Sequence, residues 1–172
     1  MIKLKHFRQK KSGFCGPVSL KMVLNYYNIL VSANQLAKLS CVTEDEGISM
    51  TGLVKAAHYF NFQVFYKQNS AIKDLKYFMK KKIPVIVDWF LEDDGHYSVV
   101  VDVTDKNVIL MDPVLGKILI YTRKRIIPID KFFRIWFDFP GDFIKEPEEL
   151  VLRLMLVVTP FKERFLIPGK YA

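Results

Sequence analysis

The stretch that decides the fold lies near the start of the chain and reads Gln9-Lys10-Lys11-Ser12-Gly13-Phe14-Cys15-Gly16-Pro17-Val18-Ser19-Leu20. A proline is tolerated in the first turn of a helix, because the backbone amides of that turn have no partner within the helix. Apolar residues then follow at helical spacing, at Leu20, Val23, Leu24 and Tyr27. The sequence therefore predicts a helix that begins near Cys15 and carries this thiol at its N-terminus.

That position suits a reactive thiol. The unpaired backbone amides and the positive end of the helix dipole both favour the thiolate over the thiol. Gly13 and Gly16 flank Cys15 and allow a substrate chain to approach the backbone closely. A lone cysteine is more often a small buried apolar residue, so a catalytic interpretation requires a base and a group that orients this base.

His96 and Asp112 are the candidate base and orienting group. His96 follows Gly95 at the start of an apolar run, and Asp112 ends the next run, 16 residues later. If the two runs form a hairpin, the Asp112 carboxylate can accept a hydrogen bond from His96 and fix its tautomer. The alternative is that Asp112-Pro113 only forms a turn. Of the other two histidines, His6 is interpreted as a surface residue and His58 as a residue at the edge of the core.

Gln9 is the candidate for stabilising an oxyanion. It lies six residues before Cys15. A side-chain amide can donate a hydrogen bond to the oxyanion of a tetrahedral intermediate, together with the backbone N–H of Cys15. The alternative is a solvated glutamine in a basic arm.

The order of the predicted elements indicates an α+β fold, with helices first and an antiparallel meander after them. Ser32, Ser49 and Ser70 each precede a helical pattern and are predicted as helix N-caps. Predicted strands cover residues 63–66, 83–89, 96–103, 108–111, 117–121 and 152–158, the last of which is expected to close the sheet.

A late helix is predicted to start at residues 128–130. Phe132, Phe133 and Trp136 are its expected anchors in the core. Residues 139–149 contain prolines and a glycine and are expected to be irregular.

Length and composition predict one domain over residues 1–172, with a core of about 5–160 and a short tail, 161–172. No window reaches about 18 uninterrupted apolar residues, so no membrane-spanning helix is expected. The chain start lacks the apolar region of a secretory signal. Two cysteines without a Cys-x-x-Cys motif predict free thiols in a reducing cytoplasm and no structural zinc or other cofactor.

The formal net charge of +8 favours acidic partners. Nucleic acid is one such class, but the sequence carries neither an RNP-like nor a helix-turn-helix signature, and most aromatic residues lie at core spacing. Nucleic acid is therefore disfavoured, but the charge does not choose between the other two classes, an anionic membrane surface and an acidic peptide.

Taken together, these features resemble the C39 peptidase domain, the papain-like cysteine peptidase of bacteriocin-exporting ABC transporters. The resemblance covers about residues 5–160. The residues that carry it are Gln9, Cys15-Gly16-Pro17, Ser19-Leu20, Asn25-Tyr26-Tyr27, Gly47-Ile48-Ser49, Leu53, Ala56-Ala57, Pro84-Val85-Ile86, His96-Tyr97-Ser98-Val99-Val100, Asp112-Pro113, Gly116, Phe133 and Trp136.

The resemblance implies a papain-like fold in which N-terminal helices pack on a C-terminal antiparallel sheet. It implies that Cys15 is the nucleophile, His96 the general base and acid, Asp112 the orienting group and Gln9 the oxyanion donor. The implied activity is cleavage of leader peptides after a double glycine, in the cytoplasm.

Three features depart from the family pattern. Phe14 stands where the family usually has an acidic residue directly before the cysteine. The membrane domain and ATPase of the exporters are absent, so a partner ABC exporter would be a separate chain. Residues 137–149 form a longer segment than expected before the last strand.

Two other functions remain open from the sequence. A papain-like acyltransferase of transglutaminase type would use the same Cys, His and Asp with an amine acceptor in place of water. A binding module would hold a leader peptide without cleaving it.

Overall fold

The computed structural model describes residues 1–42, 47–115, 123–141, 143–162 and 164–172. The helices are α1 (Cys15–Tyr26), α2 (Ala33–Ser40), α3 (Met50–Tyr59), α4 (Ile72–Lys80) and α5 (Ile129–Ile135), with a 3-10 turn at Pro147–Glu149. The strands are β1 (Gln63–Lys67), β2 (Val85–Leu91), β3 (Asp94–Val103), β4 (Asn107–Met111), β5 (Lys124–Pro128), β6 (Phe137–Asp138), β7 (Val151–Leu152), β8 (Met155–Thr159) and β9 (Lys170–Tyr171).

Seven of these strands form one antiparallel sheet in the order β5-β4-β3-β2-β8-β1-β9. The predicted α+β class is therefore confirmed. Strand β8 lies between β2 and β1, so the prediction that residues 152–158 close the sheet is wrong. Every residue of β8 is buried, and such a continuous apolar run is typical of a strand covered on both faces.

The predicted hairpin between residues 96–103 and 108–111 is present. Val99 pairs with Met111 and Val103 with Val108, and a register shift lies between Val100 and Asp102. The start of β3, which carries His96, therefore lies beside the end of β4, which Asp112 follows. The predicted strand at residues 117–121 lies outside the described residues, and the strand that pairs with β4 is β5.

Two of the three predicted serine caps are confirmed. Ser32 Oγ accepts a hydrogen bond from the Gln35 amide at 3.1 Å, and Ser49 Oγ accepts one from Gly52 at 3.2 Å. These hydroxyls satisfy amides at the starts of α2 and α3 that have no partner within the helix.

The third predicted cap, Ser70, is wrong. Its hydroxyl donates to the carbonyl oxygen of Lys67 at 3.0 Å, and α4 begins two residues later, at Ile72. The carboxylate of Asp74 accepts from the Ala71 amide at 2.8 Å instead. A charged acceptor makes a stronger hydrogen bond with an amide than a hydroxyl does, so the aspartate determines where the helix starts.

Helix α5 is anchored by two of its three predicted aromatic residues. Phe132 and Trp136 are fully buried, whereas Phe133 is 44% exposed. Residues four apart share a helix face, but Phe133 points about 100° away from them. The Arg153 guanidinium lies over the Phe133 ring at 4.9 Å from its centroid, which makes Phe133 a surface contact.

The C-terminal residues are an ordered part of the sheet. Strand β9 pairs with β1, and the Ala172 amide donates to the Val64 carbonyl at 3.0 Å. The Phe165 ring contacts Phe65 and Phe78, with centroid distances of 5.3 and 4.9 Å. The tail therefore covers one end of the core. Among the described residues, no helix has the length and apolar character to cross a bilayer.

We expect Phe165→Ala to lower the free energy of unfolding by about 3 kcal/mol, because it removes a buried ring and leaves a cavity. The neighbouring Leu166 is 90% exposed, and Leu166→Ala is expected to change stability by less than about 0.5 kcal/mol. Urea unfolding of both variants measures the difference. Equal losses would mean that the tail does not cover the core in solution.

Candidate active site

Cys15 is the first residue of α1 and is buried in the core, without a disulfide. Gly16 allows the start of α1 to approach the sheet, because a Cβ there would clash with Ile48 and lie 3.3 Å from the Tyr97 ring. The Ser19 hydroxyl donates to the Tyr97 carbonyl at 3.0 Å. These contacts hold the helix N-terminus beside β3, where His96 lies.

His96 is buried in β3, opposite Trp89 of β2. Its Nε2 donates to Asp112 Oδ1 at 2.8 Å, and the Trp89 ring packs edge-on at 5.6 Å. The imidazole also hydrogen bonds with the Cys15 side chain. The structure therefore brings Cys15, His96 and Asp112, predicted as a set from the sequence, into one chain of hydrogen bonds.

Asp112 is fully buried and surrounded by donors. Besides His96, it accepts from the Arg125 Nε at 2.7 Å and from the Val114 amide at 3.0 Å. Burial raises the pKa of Asp112, but the hydrogen bond and charge of His96, helped by Val114 and Arg125, lower it to about 2. With the bond from Val114, the Asp112 carboxylate is part of the turn as well as a partner of His96.

Arg125 is a site residue that the sequence reasoning missed. Its position in β5 beside β4 depends on the strand pairing between Leu110 and Arg125. The guanidinium also lies over Trp89, 5.6 Å from the ring centroid. In the sequence, Arg125 is a cation that precedes two isoleucines, and this pattern does not indicate which carboxylate it contacts.

The balance of interactions at His96 favours the imidazolium. Burial lowers its pKa, but the hydrogen bonds with Asp112 and Cys15 and the charges of both groups raise it to about 9. At neutral pH the ring is therefore protonated. Because Nε2 donates to Asp112, the hydrogen bond with the Cys15 side chain is left to the other ring nitrogen, Nδ1.

The N-terminal arm, residues 1–14, precedes α1 and lies against the turn that follows β4. The His6 Nε2 donates to the Asp112 carbonyl at 2.9 Å, and the Gln9 backbone amide donates to the Pro113 carbonyl at 2.9 Å. His6 is therefore not merely a surface residue. The prediction for His58 is also wrong, because His58 is exposed on α3 and its Nε2 contacts the Ala172 oxygen.

The side chain of Gln9 has an unsatisfied group. Its Nε2 donates to the Lys11 carbonyl at 3.3 Å, while Oε1 is buried and meets no donor within the described part of the chain. The arm thus holds the Gln9 backbone at the turn that follows Asp112, but its side-chain donor is engaged with Lys11.

Phe14, the departure before the cysteine, is a buried residue at the start of α1 and makes no side-chain cap. The Lys11 ammonium lies over its ring at 5.7 Å. An aromatic side chain thus stands next to Cys15, at the position where the family pattern has a carboxylate. Gly116 of the sequence pattern lies outside the described residues.

The chain is similar to known proteins both in sequence and in fold. The family model described as "Peptidase C39 family" matches residues 3–136. A lacticin-481/lactococcin-DR transport/processing ATP-binding protein of Lactococcus lactis subsp. lactis is 30% identical over 112 residues, which are 64% of this chain and 16% of that protein. The pediocin PA-1 transport/processing ATP-binding protein of Pediococcus acidilactici is 36% identical over 103 residues, 58% of this chain and 13% of that protein.

Other relatives are closer in size. An uncharacterized protein of Methanothermobacter marburgensis is 33% identical over 113 residues, 66% of this chain and 74% of that protein. The fold is that of the peptidase domain of Streptococcus ComA, a bifunctional ABC transporter, with a TM-score of 0.70 at 22% identity over 94% of this chain and 100% of that one. A double glycine motif protease in complex with a leader peptide gives 0.64 at 22% identity, over 92% and 93% of the two chains.

We expect Asp112→Asn to lower the pKa of His96 from about 9, because it removes a negative charge from beside the imidazolium. An NMR titration of the His96 ring measures the shift, and Asp105→Asn, which changes an exposed carboxylate bound to Lys76, is the control. A His96 pKa that is unchanged in Asp112→Asn would contradict the geometry described here.

The same coupling fixes the pH dependence of stability. The raised pKa of His96 means that its contribution to the free energy of unfolding is complete below about 6.5, its ordinary value, and is lost as the pH rises through about 9. This loss should be smaller in Asp112→Asn, as measured by urea unfolding across that range.

Proposed function

This chain belongs to the peptidase C39 family, and from that premise we propose that it is a cysteine peptidase that cleaves a leader peptide after a Gly-Gly motif. The observation that carries the proposal is the hydrogen-bonded chain from Cys15 through His96 to Asp112. The names of the relatives support the substrate class, since they include transport/processing proteins of bacteriocin exporters and a double glycine protease bound to a leader.

In the proposed reaction, the thiolate of Cys15 attacks the carbonyl carbon of the scissile peptide while His96 is protonated at both ring nitrogens. The electron pair of the C=O bond moves to oxygen. The Cys15 backbone N–H and the Gln9 Nε2 donate to this oxyanion. For this purpose Gln9 Nε2 must exchange its present acceptor, the Lys11 carbonyl, for the substrate oxygen.

Collapse of the tetrahedral intermediate breaks the C–N bond, and His96 Nδ1 gives its proton to the leaving amine. Water then attacks the thioester, His96 removes a proton from it, and Cys15 leaves as a thiolate. Asp112 keeps the charged imidazole oriented throughout, while Arg125 holds the second oxygen of that carboxylate at 2.7 Å.

The basic face of the molecule supports an acidic leader as the substrate. A groove of about 410 Å³ lies between the N-terminal arm and α1, and the cations that line it are Arg8, Lys10, Lys21 and Arg123. A second groove of about 370 Å³ shares Phe7 and Lys21 with the first and adds Lys5 and apolar side chains such as Ile29. We propose that an acidic, amphipathic leader docks along this face.

The matched part of the chain spans 16% of the lacticin transporter. We propose an ABC exporter as a partner, since the relatives include transport/processing ATP-binding proteins. A cytoplasmic location fits two cysteines that are not in a disulfide.

The first test is alkylation of Cys15 and Cys41, followed site by site by peptide mass spectrometry. We expect Cys15 to react with iodoacetamide already at about pH 6, where an ordinary thiol is almost unreactive. His96→Ala should abolish this early reaction. Cys41, exposed on the same chain, is the internal control. If Cys15 and Cys41 react alike, the thiolate–imidazolium pair is absent and a non-cleaving binding module is favoured.

The second test uses synthetic acidic leader peptides with a Gly-Gly site. We expect cleavage after Gly-Gly, a loss of about 10²-fold or more in rate for Gln9→Ala, and weaker cleavage at higher salt. Full turnover by Gln9→Ala would remove Gln9 from the mechanism. Product masses separate hydrolysis, which adds water, from acyl transfer, which adds the acceptor amine.

A further inference from the structure

A pair of carboxyl groups lies next to the proposed active site and takes no part in the mechanism above. Asp88 of β2 is 4% exposed, and it hydrogen bonds with Asp138 of β6 and with the hydroxyl of Tyr97. Tyr97 is its partner in the register of β2 and β3. Asp88 and Asp138 each have one buried oxygen, Oδ1, that no other group of the described chain contacts as a donor.

The pair needs a proton. Two carboxylates repel each other, and a carboxyl–carboxyl hydrogen bond forms only when one of them is protonated. Burial raises the pKa of Asp88 well above its ordinary value, and the charge of Asp138 raises it further. Burial also raises the pKa of Asp138. Burial and the proximity of the two carboxyl groups therefore both favour a proton shared by the pair.

The charged and titratable groups around the pair come from two elements. Tyr97 and Asp94 face it from β3, and Cys15 faces Asp88 from α1. Tyr97 donates a hydrogen bond to Asp88, whereas the charges of Asp94 and Cys15 disfavour further negative charge. Within the described chain no cation is among these groups, so no salt bridge neutralises the pair.

The pair connects β6 to the strand that carries His96. The Asp138 carboxylate sits directly on Gly95, where any Cβ would clash with it, and Gly95 precedes His96. Phe90 of β2 stacks on Phe137 of β6 and on Phe139, with ring-centroid distances of 5.1 and 5.3 Å. Asp88 is followed by Trp89, whose ring packs on His96.

We propose that Asp88 and Asp138 are positioning residues for His96, and that the proton they share holds β6 against the β2–β3 hairpin so that the imidazole stays aligned with Cys15. The proposal rests on the function proposed above. It assigns a role to β6, which begins the segment that the sequence marked as longer than expected, and to Gly95.

Asp138→Asn and Asp138→Leu test this role. The amide introduced by Asp138→Asn can donate to Asp88 without a titratable proton, so alkylation of Cys15 at about pH 6 should stay within about twofold of wild type. Leucine keeps the bulk but no hydrogen bond, and alkylation should slow about tenfold, since misplaced catalytic groups lose rate steeply. Asp93→Asn, in the exposed turn between β2 and β3, is the control.

An independent readout is the infrared C=O stretch of a protonated carboxylic acid at neutral pH. We expect this band in wild type and in Asp93→Asn, and its loss in Asp88→Asn and Asp138→Asn. Because the band needs no substrate and no reactive thiol, it is measurable even where a variant is inactive. All rates are compared below the thermal unfolding transition of each variant.

Two results would overturn the inference: a wild-type spectrum without the protonated carboxyl band, or a folded Asp138→Leu protein whose Cys15 reacts as fast as in wild type. Failure of the proposed function looks different. In that case His96→Ala leaves Cys15 alkylation unchanged, and the positioning role falls with it, although the band persists.

Discussion

The buried carboxylate of Asp112 is the group on which the proposed active site depends. It is fully buried, and such a charge is tolerated only when donors surround it. His96, Arg125 and the Val114 amide are those donors. Satisfying this one carboxylate fixes three things together: the orientation of the imidazole, the turn after β4 and the pairing of β5 with β4.

The arm and the helix complete the arrangement around that carboxylate. The His6 ring and the Gln9 backbone amide donate to the carbonyl groups of Asp112 and Pro113, so the residues before α1 are tied to the turn after β4. Gly16 and Ser19 hold the start of α1 against Tyr97. The thiol and the imidazole thus come from separate elements, but contacts on both sides of the site keep them together.

The electrostatics around Cys15 have two opposite sides. On one side, the hydrogen bonds and charges of Asp112 and Cys15 raise the pKa of His96 to about 9, so the ring is positive at neutral pH. On the other side, burial raises the pKa of Asp88 and of Asp138, which disfavours negative charge near the thiol. Phe14 contributes in the same direction, because it places an apolar ring where an acidic residue is usual in the family.

The sequence by itself determined the residue types and the local structure: a thiol at a helix start, a histidine at a strand start, an aspartate in a turn, and two of three serine caps. These follow from interactions within a few residues along the chain. Only the tertiary structure decided that Arg125 reaches Asp112, that His6 contacts the same turn, that β8 is central and that Asp88 meets Asp138. Those pairs are 13 to 106 residues apart, and their meeting depends on strand order and on how helices pack on the sheet, for which no local pattern carries a signal.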